Sequence, residues 1–224
     1  MIAALFDVEG TLYTAQMGRG LRKYAAAHGR RRAAQVYVAA LAPRYYLRKL
    51  KLIAQENLTR PAIERLAPLI KGWTLEEGAA AFEWVALEFI LPTGRADVIA
   101  RCQEHRAQGH AVVLVSGILM PCLELIGAHL GAVGVAGTGL EVSDGRYTGR
   151  IVPPVIIGIE KDYQTRKFFA MRGLEIDWSA SYAYADSLHD RALLELVGRP
   201  VAVYPDPDLR ELARARNWEM IGAG

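Results

Sequence analysis

Hydrophobic positions divide the chain into two regimes. Ile2 to Phe6 is a short continuous apolar run that stops at Asp7, the pattern of a strand buried on both faces. From residue 15 to about 90 the apolar positions recur at helical spacing instead, with Tyr37, Leu41, Tyr45, Leu52 and Ile53 in one series and Pro43 predicted to break it. Thr59-Arg60-Pro61 predicts a helix start, with Thr59 as the cap and Pro61 in the first turn. Lys71 to Thr74 reads as a break. Thr74-x-x-Glu77 fits a capping box for the next helix, and Pro92-Thr93-Gly94 closes the block.

Beyond residue 95 the pattern alternates. Helices are predicted over 96–107, 119–130, 160–171, 191–197 and 208–216, and strands over 111–115, 133–136, 182–185, 200–204 and 218–221. Leu140 to Ile151, with Asp144-Gly145 at its centre, reads as a β-hairpin. Alternating strands and helices imply an α/β fold with a Rossmann-like parallel sheet covered on both faces. The helical stretch breaks that rhythm. It is expected to be an all-helical cap domain at 15–90, inserted into a core domain made of 1–14 and 91–224.

Length and composition agree with this picture. The 224 residues suffice for such a core, and 52% hydrophobic with 23% charged residues indicates a folded chain. No apolar run is long enough to span a bilayer. Met1 to Phe6 leads into an acidic motif with no basic segment before it, so a cytoplasmic location is expected. Cys102 and Cys122 lack metal-ligand spacing and are expected to be buried free thiols. The net charge of +3 hides an asymmetry: no Asp or Glu lies between Gly10 and Gln55, a stretch holding ten Lys/Arg from Arg19 to Lys51. The rest of the chain carries a net −7. An anionic partner near residues 19–51, such as a membrane surface, would account for the split; the plain alternative is a solvated basic face. No nucleic-acid partner is expected, and the oligomeric state is not indicated.

Candidate chemistry sits at strand ends. In open α/β sheets ligands bind outside the carboxyl ends of the strands. Three such ends carry polar groups: Asp7-Val8-Glu9-Gly10-Thr11, Ser116-Gly117, and Asp186-Ser187-Leu188-His189-Asp190. Their convergence would gather four carboxylates, which repel one another unless a cation joins them. An all-oxygen set suits Mg²⁺. Lys161, opening a helix after a loop, could add a second positive charge. Val115-Ser116-Gly117 lacks the first glycine of a nucleophile elbow, and no Walker or dinucleotide glycine pattern occurs. His28, His105, His110 and His129 show no partner spacing, and His189 is expected at an exposed helix start. Tyr37, Tyr45 and the four tryptophans are expected in the core.

In combination these motifs resemble the four-motif pattern of the haloacid dehalogenase superfamily, above all its phosphoserine-phosphatase-like branch. Asp7-x-Glu9-Gly10-Thr11 resembles the first motif, Ser116 the second, Lys161 the third, and Asp186 with Asp190 the fourth. Ser143 to Gly149 and Asp186 to Trp218, including Pro205-Asp206-Pro207, are similar to that branch as well. The resemblance implies a Mg²⁺-dependent phosphatase. Asp7 would be the nucleophile forming an aspartyl-phosphate, and Glu9 the acid and base. Ser116, Gly117, Thr11 and Lys161 would serve the phosphate and the motif loop. Asp7, the main-chain carbonyl of Glu9, Asp186 and Asp190 would hold the metal.

Three departures stand out. Glu9 replaces the usual second aspartate, as in the enolase-phosphatase branch. Gly158-Ile-Glu160-Lys161 replaces Gly-x-Gly-Lys, and Ala185 replaces the glycine before Asp186. Phosphoserine-specific members carry a glutamate nine residues past the nucleophile, where this chain has Gln16, so phosphoserine is disfavoured. A small-molecule or lipid-like phosphoester is expected instead. The alternatives are a catalytically weak phosphate-binding or membrane-peripheral module, and a phosphotransferase.

Overall fold

The computed structural model describes residues 1–50, 52–54 and 56–222. Lys51 and Gln55, part of the basic stretch, lie outside the described residues.

Strand β1 (Ala3–Phe6) lies at the centre of a seven-stranded sheet among the described residues, in the order β4-β3-β2-β1-β5-β6-β7. Its neighbours are β2 (Ala111–Leu119) and β5 (Tyr182–Ala185), both parallel, with Ala3 opposite Ala111 and Leu5 opposite Ala183. Beyond β5 lie β6 (Arg199–Val203) and β7 (Glu219–Ile221); beyond β2 lie β3 (Gly134–Ser143) and β4 (Arg146–Val152). Only β4 is antiparallel. Alternate residues of β1 feed the two faces. Ala4 and Phe6 join a core with Leu114, Tyr184 and the helical block, while Ala3 and Leu5 join Val113, Ala183, Phe169 and Leu194 on the opposite face. This is the doubly covered parallel sheet that the continuous apolar runs predict.

Most predicted helices fall where the pattern puts them: α5 (Ala96–Ala107), α6 (Met120–Leu130), α7 (Ile159–Ala170), a shortened α8 (Arg191–Glu195) and α9 (Pro207–Ala215). The capping box is present, because Thr74 accepts from Glu77 N while Glu77 accepts from Thr74 N, starting α4 (Leu75–Trp84). Asp144 and Gly145 both take positive φ, as a tight hairpin turn between β3 and β4 requires. Cys102 and Cys122 are buried and free.

Five expectations are corrected. Pro43 does not break its helix: α2 (Arg31–Lys49) runs through it. Alanines at 33, 34, 39, 40 and 42 are strong helix formers that hold the turn despite the lost donor. Thr59 caps nothing, because α3 (Glu56–Glu64) starts a turn earlier, where Asn57 N donates to Ala54 O at 3.1 Å. Strand β2 continues past Ser116 to Leu119. Its pairing with β3 is interrupted after Val115 and resumes at Leu119, so Ser116 and Gly117 sit in an irregularity rather than beyond the strand. Tyr45 is not core; it is 59% exposed. Finally, His105 and His110 do have partners. His105 Nδ1 lies 2.8 Å from His110 Nδ1, and its Nε2 lies 2.8 Å from the Tyr184 hydroxyl.

The helical block begins with α1 (Met17–Ala25), which turns into α2 at His28 and Gly29. It is tied to the sheet at its base. Gly72 N donates to Tyr147 O at 2.8 Å, and Tyr147 N donates to Trp73 O at 2.9 Å. Among the described residues no helix is long and apolar enough to cross a membrane.

Candidate active site

The loop after β1 is wound tightly. Asp7 N continues the ladder to Tyr184 O at 2.9 Å, Val8 O accepts from both Leu12 N and Tyr13 N, and Gly10 N donates to Tyr13 O at 2.7 Å. Gly10 has φ +91°, and a Cβ there would stand 2.2 Å from Asp186 Oδ2. The turn therefore needs glycine twice over, for its backbone and for the space Asp186 occupies. Arg95 clamps the turn from outside, its Nε donating to Gly10 O at 3.1 Å while the guanidinium stacks 3.8 Å from the Tyr204 ring.

Five side chains converge beyond the strand ends. Lys161 Nζ lies 2.7 Å from Asp7 Oδ1 and 2.6 Å from Asp190 Oδ1, and all three side chains are under 10% exposed. Thr11 Oγ1 stands 3.2 Å from both Asp7 Oδ2 and Asp186 Oδ1, and its one proton can serve either. Asp7, Asp186 and Asp190 each offer a carboxylate oxygen within 4.8 Å of the others. Lys161 reaches the cluster because α7 opens at Gly158, whose φ of 54° with ψ of −127° suits glycine. One glycine of the expected loop is thus present where the backbone demands it.

The electrostatics reflect crowding. Burial, then the charges of Asp7 and Asp190, push the Asp186 carboxyl up to about 7. Burial raises Asp190 to about 6, with Lys161 opposing and Asp7 adding to the rise. Burial also disfavours a charged Lys161, but the Asp190 and Asp7 carboxylates outweigh it and hold the ammonium above its ordinary value. Three carboxylates against one ammonium leave excess negative charge, and the donors are all oxygens. That is the donor set a hard divalent cation such as Mg²⁺ takes.

Glu9 points away from the cluster, toward the start of α1, where Oε1 accepts from Met17 N at 2.5 Å. Burial raises its carboxyl to about 7, the Met17 bond opposing, with the Asp7 charge contributing. A carboxyl poised there can exchange a proton near neutral pH. Ser116 is buried and, with Gly117, lines a cleft of about 750 Å³ that also reaches Asp7, Glu9, Lys161 and Asp186. His189, expected to be exposed, is half-buried in the wall of the same cleft.

Asp206 belongs to the Pro205-Asp206-Pro207 segment that resembles the family, but the motifs assign it no role. Its Oδ2 accepts from Ser187 Oγ at 2.9 Å and Leu188 N at 3.1 Å, its Oδ1 caps α9 through Leu209 N at 2.7 Å, and its N donates to Asp186 O at 2.8 Å. It fixes the loop that carries Asp186 and Asp190. The available signal was an aspartate before Pro207, an N-cap followed by proline at the first helical position.

Together the fold and this cluster define an α/β enzyme with an acidic centre outside the carboxyl ends of its parallel strands, under a helical block. Comparison narrows the class. Residues 4–195 match the family described as haloacid dehalogenase-like hydrolase. The chain is 34% identical over 224 residues to phosphoserine phosphatase SerB1 of Mycobacterium tuberculosis, covering 97% of this chain and 70% of that protein. It is 32% identical over 162 residues to a histidinol-phosphatase of Neisseria meningitidis, covering 70% and 71%. The crystal structure of a Bordetella pertussis protein of unknown function superposes with a TM-score of 0.83 at 30% identity, covering 98% of this chain and 97% of that one. The protein belongs to the haloacid dehalogenase-like hydrolase family, on its phosphoserine-phosphatase-like side, and is a phosphoric monoester hydrolase of that family.

Proposed function

We propose that the protein hydrolyses a phosphomonoester other than phosphoserine in a Mg²⁺-dependent reaction through an aspartyl-phosphate on Asp7. The observation that carries this reading is the position of Lys161 Nζ, within 2.7 Å of Asp7 and Asp190 beside Asp186.

An Asp7 carboxylate oxygen attacks phosphorus and the bond to the leaving oxygen breaks. Glu9, whose carboxyl holds a proton near neutral pH, gives that proton to the departing alkoxide. Glu9 then takes a proton from water as the water oxygen attacks the phosphorus of the acyl phosphate, which frees inorganic phosphate and regenerates Asp7. Lys161 offsets charge on Asp7 and on the phosphoryl oxygens, and Ser116 with the Gly117 backbone holds those oxygens. Thr11 fixes the Asp7 loop. Asp7, Asp186, Asp190 and the Glu9 carbonyl would hold Mg²⁺, which supplies positive charge where a carboxylate must approach an anionic phosphate. Residues 15–90 act as a cap that keeps water from the cleft.

Two features speak against phosphoserine. Gln16 stands at the amine-binding position, and among the described residues lining the cap side of the cleft Glu9 is the sole acid. The basic stretch at 19–51 supports a further contact with an anionic surface. The test is turnover of a phosphomonoester panel with and without Mg²⁺, for the wild type and Asp7→Asn. Mg²⁺-dependent turnover lost in the variant is the expected result. Wild-type inactivity on every ester of the panel, or undiminished activity of Asp7→Asn, sinks the proposal.

A further inference from the structure

A second cavity opens off the catalytic cleft, under the helical block. It measures about 550 Å³ and runs between α1, α2 and α3. Glu9, Gln16, Thr59, Ile63 and Gly117 belong to the walls of both spaces, so the two adjoin at these residues. Gly117 sits at the junction: a Cβ there would stand 2.7 Å from Ile63 Cδ1. The far wall is hydrocarbon and aromatic, with Tyr37, Leu41, Ala42, Tyr45, Leu58 and Leu66 among its residues.

Glu9 stands where the two spaces meet. In the mechanism above it protonates the leaving oxygen, so whatever is attached to that oxygen extends past Glu9 into the second cavity. The charges in that cavity sort the candidates. Arg19 and Arg22 line it, and among the described residues of its wall Glu9 is the one carboxylate. An ammonium or imidazolium on the leaving group would meet two arginines and, among the described residues, no acid besides Glu9. A hydrocarbon group would meet aliphatic side chains and the faces of tyrosines, and would leave water as it entered.

We propose that the substrate is the phosphate monoester of an apolar alcohol, whose hydrocarbon portion fills this cavity while the phosphate lies at Asp7. The proposal rests on the phosphatase reading for its orientation. It predicts a slope. Burying a methylene is worth about 0.8 kcal/mol, so each one that enters the cavity tightens binding about three- to fourfold. From butyl to octyl phosphate the gain is roughly 80- to 250-fold.

The experiment is calorimetric binding of butyl, hexyl and octyl phosphate, with Mg²⁺, to the Asp7→Asn protein, where no turnover intervenes. Affinity rising with chain length, and flattened when Ala42→Trp is added to fill the cavity, is the expected result. Affinities independent of chain length overturn the proposal, as does tighter binding of histidinol phosphate or phosphoserine than of octyl phosphate. The slope is read with the cavity unfilled, so it decides the matter even if the tryptophan variant does not fold. Hydrolysis of the same series by the wild type tests the phosphatase reading separately: a steep affinity slope with no turnover sinks the chemistry and keeps the cavity's preference.

Discussion

Replacing Lys161 with methionine keeps most of the side chain's volume and removes its charge. Lys161 Nζ lies 2.7 Å from Asp7 Oδ1 and 2.6 Å from Asp190 Oδ1. At an effective dielectric constant of about 20, each contact is worth roughly 6 kcal/mol of attraction. Desolvating the ammonium takes back several kcal/mol, so the pairs as formed contribute far less than their Coulomb energy. The substitution does not revert to a neutral core, because the carboxylates stay buried without a counter-ion. Breaking a buried pair in this way costs about 3–5 kcal/mol. For a chain of this size that lowers Tm by about 6 to 20 °C.

The loss must depend on pH and metal. Asp186 and Asp190 are raised to about 7 and about 6, so near pH 5 they carry protons and feel the missing ammonium little. At pH 8 they are ionised and the penalty is full. Mg²⁺ supplies charge to the same oxygens and should recover part of it. The assay is thermal melting of both proteins at pH 5 and pH 8, with EDTA or Mg²⁺. A Lys161→Met protein that melts within 2 °C of the wild type at pH 8 in EDTA refutes the reasoning. So does an equal deficit at both pH values. Turnover by the variant should fall by about 10² to 10³, the scale of losing one preorganised charge at a reacting centre.

Three further outcomes are expected. Gly10→Ala forces a Cβ to within 2.2 Å of Asp186 Oδ2 and holds alanine at φ +91°, so Mg²⁺ affinity measured by calorimetry should drop at least tenfold and stability by about 1–2 kcal/mol; unchanged Mg²⁺ affinity would show that Asp186 is not needed for the metal. Asp206→Ala removes an N-cap and the acceptor for Ser187 and Leu188, costing about 2–4 kcal/mol in chemical denaturation and weakening Mg²⁺ although Asp206 is no part of the carboxylate cluster; a loss below 0.5 kcal/mol contradicts its bracing role. Burial, then the charges of His110 and Arg101, lower His105 to about 4 from 6.5, so the unfolded chain binds this proton first as pH falls; stability is full above pH 6.5 and declines by up to roughly 3 kcal/mol toward pH 4. The last effect is read with Mg²⁺ present, since the raised cluster carboxylates act in the opposite sense, destabilising the metal-free fold as pH climbs from 4 to 7. His105→Leu should abolish the decline, and persistence of it would assign the slope elsewhere.

What the sequence made legible is what its local rules control. Asp7 to Thr11 is one tight turn whose glycine and threonine are required by contacts within a few residues or at a strand end, so the motif could be read as written. The capping box at Thr74 and the turn at Asp144-Gly145 are equally local. The misreadings share a cause. Pro43 and Thr59 are punctuation by the local rule, and both were overruled by the helical residues around them, which carry α2 and α3 straight through. The irregularity in β2 answers to its pairing with β3, which no property of residues 115–119 announces. Arg95, Asp206 and the His105–Tyr184 contact unite residues far apart in the chain, 85 for Arg95 and Gly10 and 79 for His105 and Tyr184, and crossovers of the sheet bring them together.

That division bears on the chemistry. The residues that would react with phosphate lie in short motifs, because their spacing from a strand end fixes where they point. The residues that would choose the substrate lie on α1, α2 and α3, and no short pattern joins them. Tyr45 and Leu58 join the cavity's far wall on the helical turns gained when α2 continues past Pro43 and α3 starts before Thr59. Had α2 ended at Pro43 or α3 begun at Thr59, the far wall of the cavity beside Glu9 would lose the helical turn that carries Tyr45 or the one that carries Leu58. The reaction type could therefore be read from the motifs, while the preference for an apolar leaving group depends in part on one helix that runs through its stop signal and another that begins before its start signal.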